Sequence, residues 1–216
     1  MQEKGYSLLS SEERKEQYKK LMISLLSEYY LRTRSNTMKR FENSREEVKG
    51  AFRRTLEAAK VYLHNFISAG QKGKVRYIQL SYLLSNALSG ERLIKVDFYD
   101  ERYYRDIEEI DCYWDFTMLF PEEESEYLNC ADKLRGELIR LQSGELSQLK
   151  IGLMVLNFMV LKEILRELVK SERLLEELSP YCGDEMFFIY GAYLDQAEVI
   201  HHAVQGSCKT ERGIEG

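Results

Sequence analysis

Between Leu153 and Leu161 the chain runs Leu-Met-Val-Leu-Asn-Phe-Met-Val-Leu, with Asn157 as the one polar side chain. A helix apolar on all sides is stable only when neighbours wrap it, so the rest of the chain must be arranged around this segment. Lys162 and Glu163 follow at once, which leaves the run well short of the roughly 20 apolar residues a membrane-spanning helix requires. The segment is therefore expected at the centre of a protein core.

The flanks extend it. Gln142-Ser143-Gly144 reads as a break, and a long helix is expected from Glu145 to Leu178, amphipathic past Lys162 and stopped by Ser179-Pro180. Its face from Ile164 to Leu178 is also the place where a homodimer seam is expected, should the chain pair with itself. Upstream, Ser10 with Glu13 forms a capping box before the stripe Tyr18, Leu21, Met22, Leu25 and Tyr29. Arg34-Ser35-Asn36-Thr37 reads as a turn. A second helix is expected over 38–69 on the seam Val48, Phe52, Leu56, Ala59, Leu63 and Phe66, with Gly70 as its C-terminal glycine. Pro121 before three glutamates opens another helix, over 126–141. A last one is expected from the N-cap Asp184 to about Val204.

Two stretches alternate instead. Leu93 to Tyr99 interleaves apolar and charged residues and reads as a strand, which needs a partner. Either 75–88 or Cys112 to Phe116 supplies it. Over 75–88, Ile78, Leu80, Tyr82 and Leu84 fit a strand while Leu80, Leu83, Leu84, Ala87 and Leu88 fit a helix, and the reading adopted is helix. With two prolines in 216 residues and 44% hydrophobic residues, the fold class expected is mainly α: a helical bundle around the long central helix, with at most one short β-hairpin. One helical domain over 1–206 is expected, 1–90 and 91–206 being its sub-lobes if it divides, followed by a flexible tail over 207–216.

Cys112, Cys130, Cys182 and Cys208 are scattered without a C-x-x-C pair, and Met1 to Gly5 shows no basic-then-apolar leader. Both point to a reduced, cytoplasmic setting in which the thiols are structural. No phosphate-loop, dinucleotide, nucleophile-elbow or H-E-x-x-H signature is present, and no cofactor is expected.

Three groups of residues carry candidate chemistry. The densest is Asp97 to Asp106 with Cys112 to Asp115, where aromatic side chains alternate with charges. Tyr99, Arg102, Tyr103, Tyr104, Arg105, Tyr113 and Trp114 are the types that contribute most per residue at protein interfaces. A non-enzymatic interaction or regulatory protein, binding another protein through this surface, is the function expected first; a strand edge whose rings pack on helices is the plainer reading of the same residues. Charge supplies the second group. Residues 31–76 hold twelve Lys or Arg against four Glu, while 91–130 hold four against thirteen acidic residues. Arg32, Arg34, Lys39, Arg40, Lys49, Arg53 and Lys60 are thus candidates for nucleic-acid binding, or for attraction between the two segments. Glu46 and Glu57 interrupt the basic flank. The third group is Asp195, Glu198, His201 and His202, whose E-x-x-H spacing on a helix suits a divalent metal in a helical-bundle enzyme, although the chain has no second copy of the motif.

The stretch Leu93 to Glu101 with Tyr103-Tyr104-Arg105-Asp106 resembles a segment of an uncharacterised family of bacterial helical proteins. The resemblance implies no activity, and no residue role follows from it.

Overall fold

The computed structural model describes residues 11–204 apart from Asp111, Ile139 and Leu194, and leaves the side chains of Ala87, Tyr104 and Glu172 undescribed. Ser10, Cys208 and the tail over 207–216 lie outside the described residues.

The chain begins with two long helices, α1 (Ser11–Asn43) and α2 (Arg45–Ser68). The turn expected at 34–37 is absent. Thr37 and Phe41 are buried there, and the helix runs on to a break at Ser44. The propensity deficit of Ser, Asn and Thr is at most about 0.7 kcal/mol each, which burial of a ring such as Phe41 outweighs. The α2 seam is as expected: Val48, Phe52, Leu56, Ala59 and Leu63 are all buried. Gly70 follows with φ +69, the left-handed conformation that glycine adopts without strain.

A five-stranded mixed sheet corrects the mainly α expectation. The strands are β1 (Val75–Tyr82), β2 (Leu93–Tyr99), β3 (Tyr113–Asp115), β4 (Cys182–Ala192) and β5 (Ala197–Val204), in the order β3-β2-β1-β4-β5. The β2 and β3 expectations hold, and β2 pairs antiparallel with both candidate partners, β1 and β3. Two expectations fail. Residues 75–82 form the central strand, and the helix expected from Asp184 to Val204 is the β4–β5 hairpin. The aromatic and β-branched run Phe187-Phe188-Ile189-Tyr190 favours extended backbone, and β1 offers it a parallel edge with Ile78 opposite Phe188 and Leu80 opposite Tyr190. Gly191 completes the hairpin: a Cβ there would stand 2.3 Å from the Gln196 carbonyl oxygen and 2.6 Å from Ala197 Cα. No other residue fits that approach.

Between β1 and β2 lies the single turn α3 (Asn86–Ser89), and α4 (Glu123–Glu137) precedes α5 (Ser143–Leu168) and α6 (Glu172–Leu178). The long helix expected over 145–178 is thus two helices. It starts earlier, on a capping box between Gln142 and Glu145, and breaks after Leu168. α5 is the centre as expected. Leu149 and Leu153 pack with Leu25 and Tyr29 of α1 and Cys130, Ala131 and Leu134 of α4. Met154, Phe158, Leu161 and Leu165 pack with α2 and the inner face of the sheet. Asn157 sits in this core with its carbonyl oxygen accepting from the Tyr29 hydroxyl at 2.7 Å. On the face named for a homodimer seam, Ile164, Leu165, Leu168 and Leu178 are buried within the chain and Leu175 is half-buried. Among the described residues no helix is long and apolar enough to cross a membrane.

Strand alternation sets two sheet faces. Ile78, Leu80, Ile94, Val96, Phe98, Trp114, Phe188 and Tyr190 turn inward to α2 and α5. Trp114 is 1% exposed and meets Phe52 edge-on at 5.2 Å, while its indole N–H has no hydrogen-bond partner among the described residues. Trp114→Ala should lower the unfolding free energy by about 3–5 kcal/mol, whereas Trp114→Phe, which also removes the unpaired N–H, should cost less than about 1.5 kcal/mol. Urea titrations of the three proteins check the ordering; an equal loss in both variants contradicts this placement.

Candidate functional site

On the outer face of the sheet one register row is aromatic across four strands. Tyr99 of β2 lies opposite Tyr77 of β1, Tyr77 opposite Phe187 of β4, and Phe187 opposite His202 of β5. Phe187 and His202 stack with centroids 4.3 Å apart, and Tyr77 stacks on Phe187 at 5.7 Å. Arg76 lies over both Tyr77 and Phe187, 5.8 Å from each ring, a placement that draws its cation onto the ring faces. The rings are half-buried and His202 is exposed, so the row is reachable from solvent.

Tyr103 completes it from above. It packs edge-on against Tyr77 at 4.8 Å and Tyr99 at 5.3 Å, and its hydroxyl donates to Gln79 Oε1 at 2.9 Å. Its φ is +52, a conformation that costs a side chain with a Cβ of order 1 kcal/mol or more and persists only where surroundings impose it. The imposing structure is a set of polar contacts between the turns that follow α2 and β2. Lys72 and Asp106, both with fully buried side chains, form an ion pair, and Lys72 also donates to the Glu108 carbonyl. Asp106 accepts from the backbone N–H of Asp100. Asp100 in turn accepts from the Gly73 N–H and from the Arg102 backbone and guanidinium. A buried ion pair of this kind does little for net stability but is costly to break on one side, so the 100–108 segment keeps one shape.

Further along the same face Lys95 meets Asp97 at 3.0 Å and lies over the Tyr193 ring at 4.7 Å. Burial opposes its charge, but Asp97 and Tyr193 more than offset that and hold its pKa above the ordinary lysine range. Lys95 is therefore a fixed cation, not a base. At the other end, where the aromatic row meets the strand ends, a cleft of about 530 Å³ is lined by Gly73, Lys74, Arg76, Asp100, Glu101, Gly183, Asp184 and Glu185. Arg76 pairs with Glu185 and Lys74 donates to the Pro180 carbonyl. Arg102 pairs with Asp100 from the rim, and Glu101 and Asp184 have no ion pair among the described residues against one such cation, Lys74, so the cleft keeps a small surplus of negative charge.

The structure separates the residues singled out from sequence. Tyr99, Arg102 and Tyr103 belong to this face, and Tyr113, 44% exposed, lies on it opposite Lys95. Arg105 is exposed, Tyr104 has no described side chain, and Trp114 points the other way into the core. Of the basic set, Arg32 pairs with Glu126, Arg34 with Glu163, Arg40 with Glu122, Lys49 with Glu46, Arg53 with Glu57, and Lys60 with Glu177; Lys39 is exposed. Two of these pairs tie α1 to α4 and α5, and a third ties it to Glu122, the residue before α4. The metal set loses the helix its spacing presumed. His201 and His202 project to opposite sides of β5, and Glu198 is held by Lys162 and Arg166. Among the described residues no three His, Cys, Asp or Glu side chains gather closely enough to hold a metal ion. Burial raises the thiols, Cys112 to about 11 and Cys182 to about 12. Tyr77, Phe187, Arg76 and the cleft carry no local motif; the alternation through 76–82 and 186–190 is the signal that points to them.

Compared with known protein families, curated proteins and solved structures, the chain matches none.

Asp100 gives the site a pH signature. Burial works against its ionisation, but the hydrogen bonds from Arg102 and Gly73 outweigh burial and bring its pKa down from 3.8 to about 2. A carboxyl with a lowered folded-state pKa stabilises the fold above its unfolded value and loses that contribution as pH falls through the folded value. Asp100→Asn should therefore be less stable than the parent at neutral pH, with the gap closing between about pH 4 and pH 2. Denaturant titrations across that range check it; a gap independent of pH contradicts it.

Proposed function

We propose that this chain is a binding protein that holds a polypeptide segment against the outer face of its sheet, with the aromatic row receiving apolar side chains and the adjoining cleft receiving a basic one. The observation that carries this reading is the continuity of Tyr99, Tyr77, Phe187 and His202 with a cleft where four carboxylates face two cations. Half-buried aromatic rings, preorganised by their neighbours, contribute large contact area at small entropic cost. Arg102 and the Tyr103 turn fix one border of the surface before any partner arrives, which limits the ordering that binding must supply.

Charge favours a polypeptide over a nucleic acid. A polyanion gains by counterion release where cations are massed, whereas the cleft-lining groups without an ion pair among the described residues are two carboxylates, Glu101 and Asp184, against one cation, Lys74, and the basic residues of α1 and α2 are mostly engaged within the chain.

A photoreactive phenylalanine analogue at Asp184, in cells that naturally express the chain, should give a discrete polypeptide adduct that the same analogue at Leu128, exposed on α4, does not. Phe187→Ala and Glu101→Lys should each reduce that adduct about tenfold or more. An RNA adduct, no adduct at 184, or the same adducts at both positions would contradict the proposal.

A further inference from the structure

α5 is apolar on all sides from Leu153 to Leu161, yet one facet of it is not covered. Val155 is half-buried and Met159 is 50% exposed, one turn apart on the side facing the β4–β5 turn. They border a pocket of about 320 Å³ on the inner side of the sheet, separate from the aromatic row and cleft of the outer face. Its floor is Tyr82 stacked on Phe158 at 4.3 Å, beside Tyr190, whose hydroxyl donates to the Phe158 carbonyl at 2.8 Å. Because that hydroxyl is already engaged, the floor presents ring surface and no free donor from Tyr190. Gly191, Gln196 and Ala197 close the far wall, and the tight approach at Gly191 keeps this wall in place.

The mouth carries a surplus of positive charge. Lys162 and Arg166, one turn apart on α5, both pair with the single carboxylate of Glu198, which among the described residues leaves one positive charge uncompensated. Lys170, the next residue in this series, pairs with Glu167. Asp195 lies toward the Tyr82 end, where it helps burial raise the tyrosine's pKa, so an anion is favoured at the Lys162 end and disfavoured at the other. Ligand sites of this size combine apolar and aromatic walls with a few polar groups that fix orientation.

We infer that this pocket binds a small apolar monocarboxylate, its aryl or alkyl body on Tyr82, Phe158 and Tyr190 between Val155 and Met159, and its carboxylate at Lys162. At ~30 Å³ per water-sized unit the space holds about ten such units, which matches a phenyl ring with a short acid chain. Occupancy covers Met159 and gives the surplus cation its counter-charge, without disturbing the Glu198 pairs.

Methyl-labelled methionine reports this directly in NMR spectra of the full chain, with the Met159 signal assigned from Met159→Leu. Titration with 3-phenylpropanoate should shift Met159 saturably, and 3-phenylpropanamide and 3-phenylpropylamine should bind about tenfold more weakly or worse, the difference one effective charge contact makes. Lys162→Gln should abolish the preference for the acid over the amide while the amide still shifts Met159. Val155→Trp should fill the space and remove all responses; Ala197→Leu, a smaller intrusion, serves if the first variant does not fold by circular dichroism. An unmoved Met159 signal at millimolar acid, equal affinity for the three compounds, or an undiminished response in the filled variant that folds would overturn the inference.

Discussion

The parallel pairing of β1 with β4 is the constraint on which the rest of this structure depends. It joins residues 75–82 to residues 182–192, more than a hundred positions further along, and so closes the chain around α5. Without it the sheet would divide into the three strands β3-β2-β1 and an isolated β4–β5 hairpin, which alone is marginally stable at best, and Phe188 and Tyr190 would lose their place beside α5. Parallel pairs need a long crossover, and here the crossover contains β2, β3, α4, α5 and α6, so helical core and sheet are obliged to form together.

The same pairing makes both surfaces. On the outer side it aligns Tyr77 with Phe187 and turns two short aromatic runs into one row. On the inner side it places Tyr82 and Tyr190 under Phe158, which forms the floor of the pocket beside Met159. Local polar chemistry then shapes the borders: the Lys72–Asp106 pair and the Asp100 hydrogen bonds hold Tyr103 over the row, and Glu198 gathers Lys162 and Arg166 at the pocket mouth.

Legibility in the sequence followed the range of the interactions. The α2 seam, Gly70, β2, β3 and the burial of α5 are written in local periodicity and capping, and each is where the residues place it. For β1 and β4 the local pattern favours helix, because Leu80, Leu83 and Leu84, or Ile189 and Tyr193, also fit a helical stripe; only the distant partner decides between the two periods. The site divides in the same way. Tyr99, Arg102 and Tyr103 stand out as a cluster in sequence, but Tyr77, Phe187 and His202 join them through strand register, and Trp114 leaves them because alternation turns it inward. The basic stretch over 31–76 was visible, whereas its acidic partners on α4, α5 and α6 were set by packing.

A nuclear Overhauser spectrum of the labelled protein tests the pairing most directly. The account predicts cross-strand contacts from the amides of β1 near Ile78 and Leu80 to the α-protons of β4 around Phe188, together with β4–β5 contacts across the hairpin. Sequential contacts three residues apart throughout 184–204, with none between β1 and β4, would contradict it.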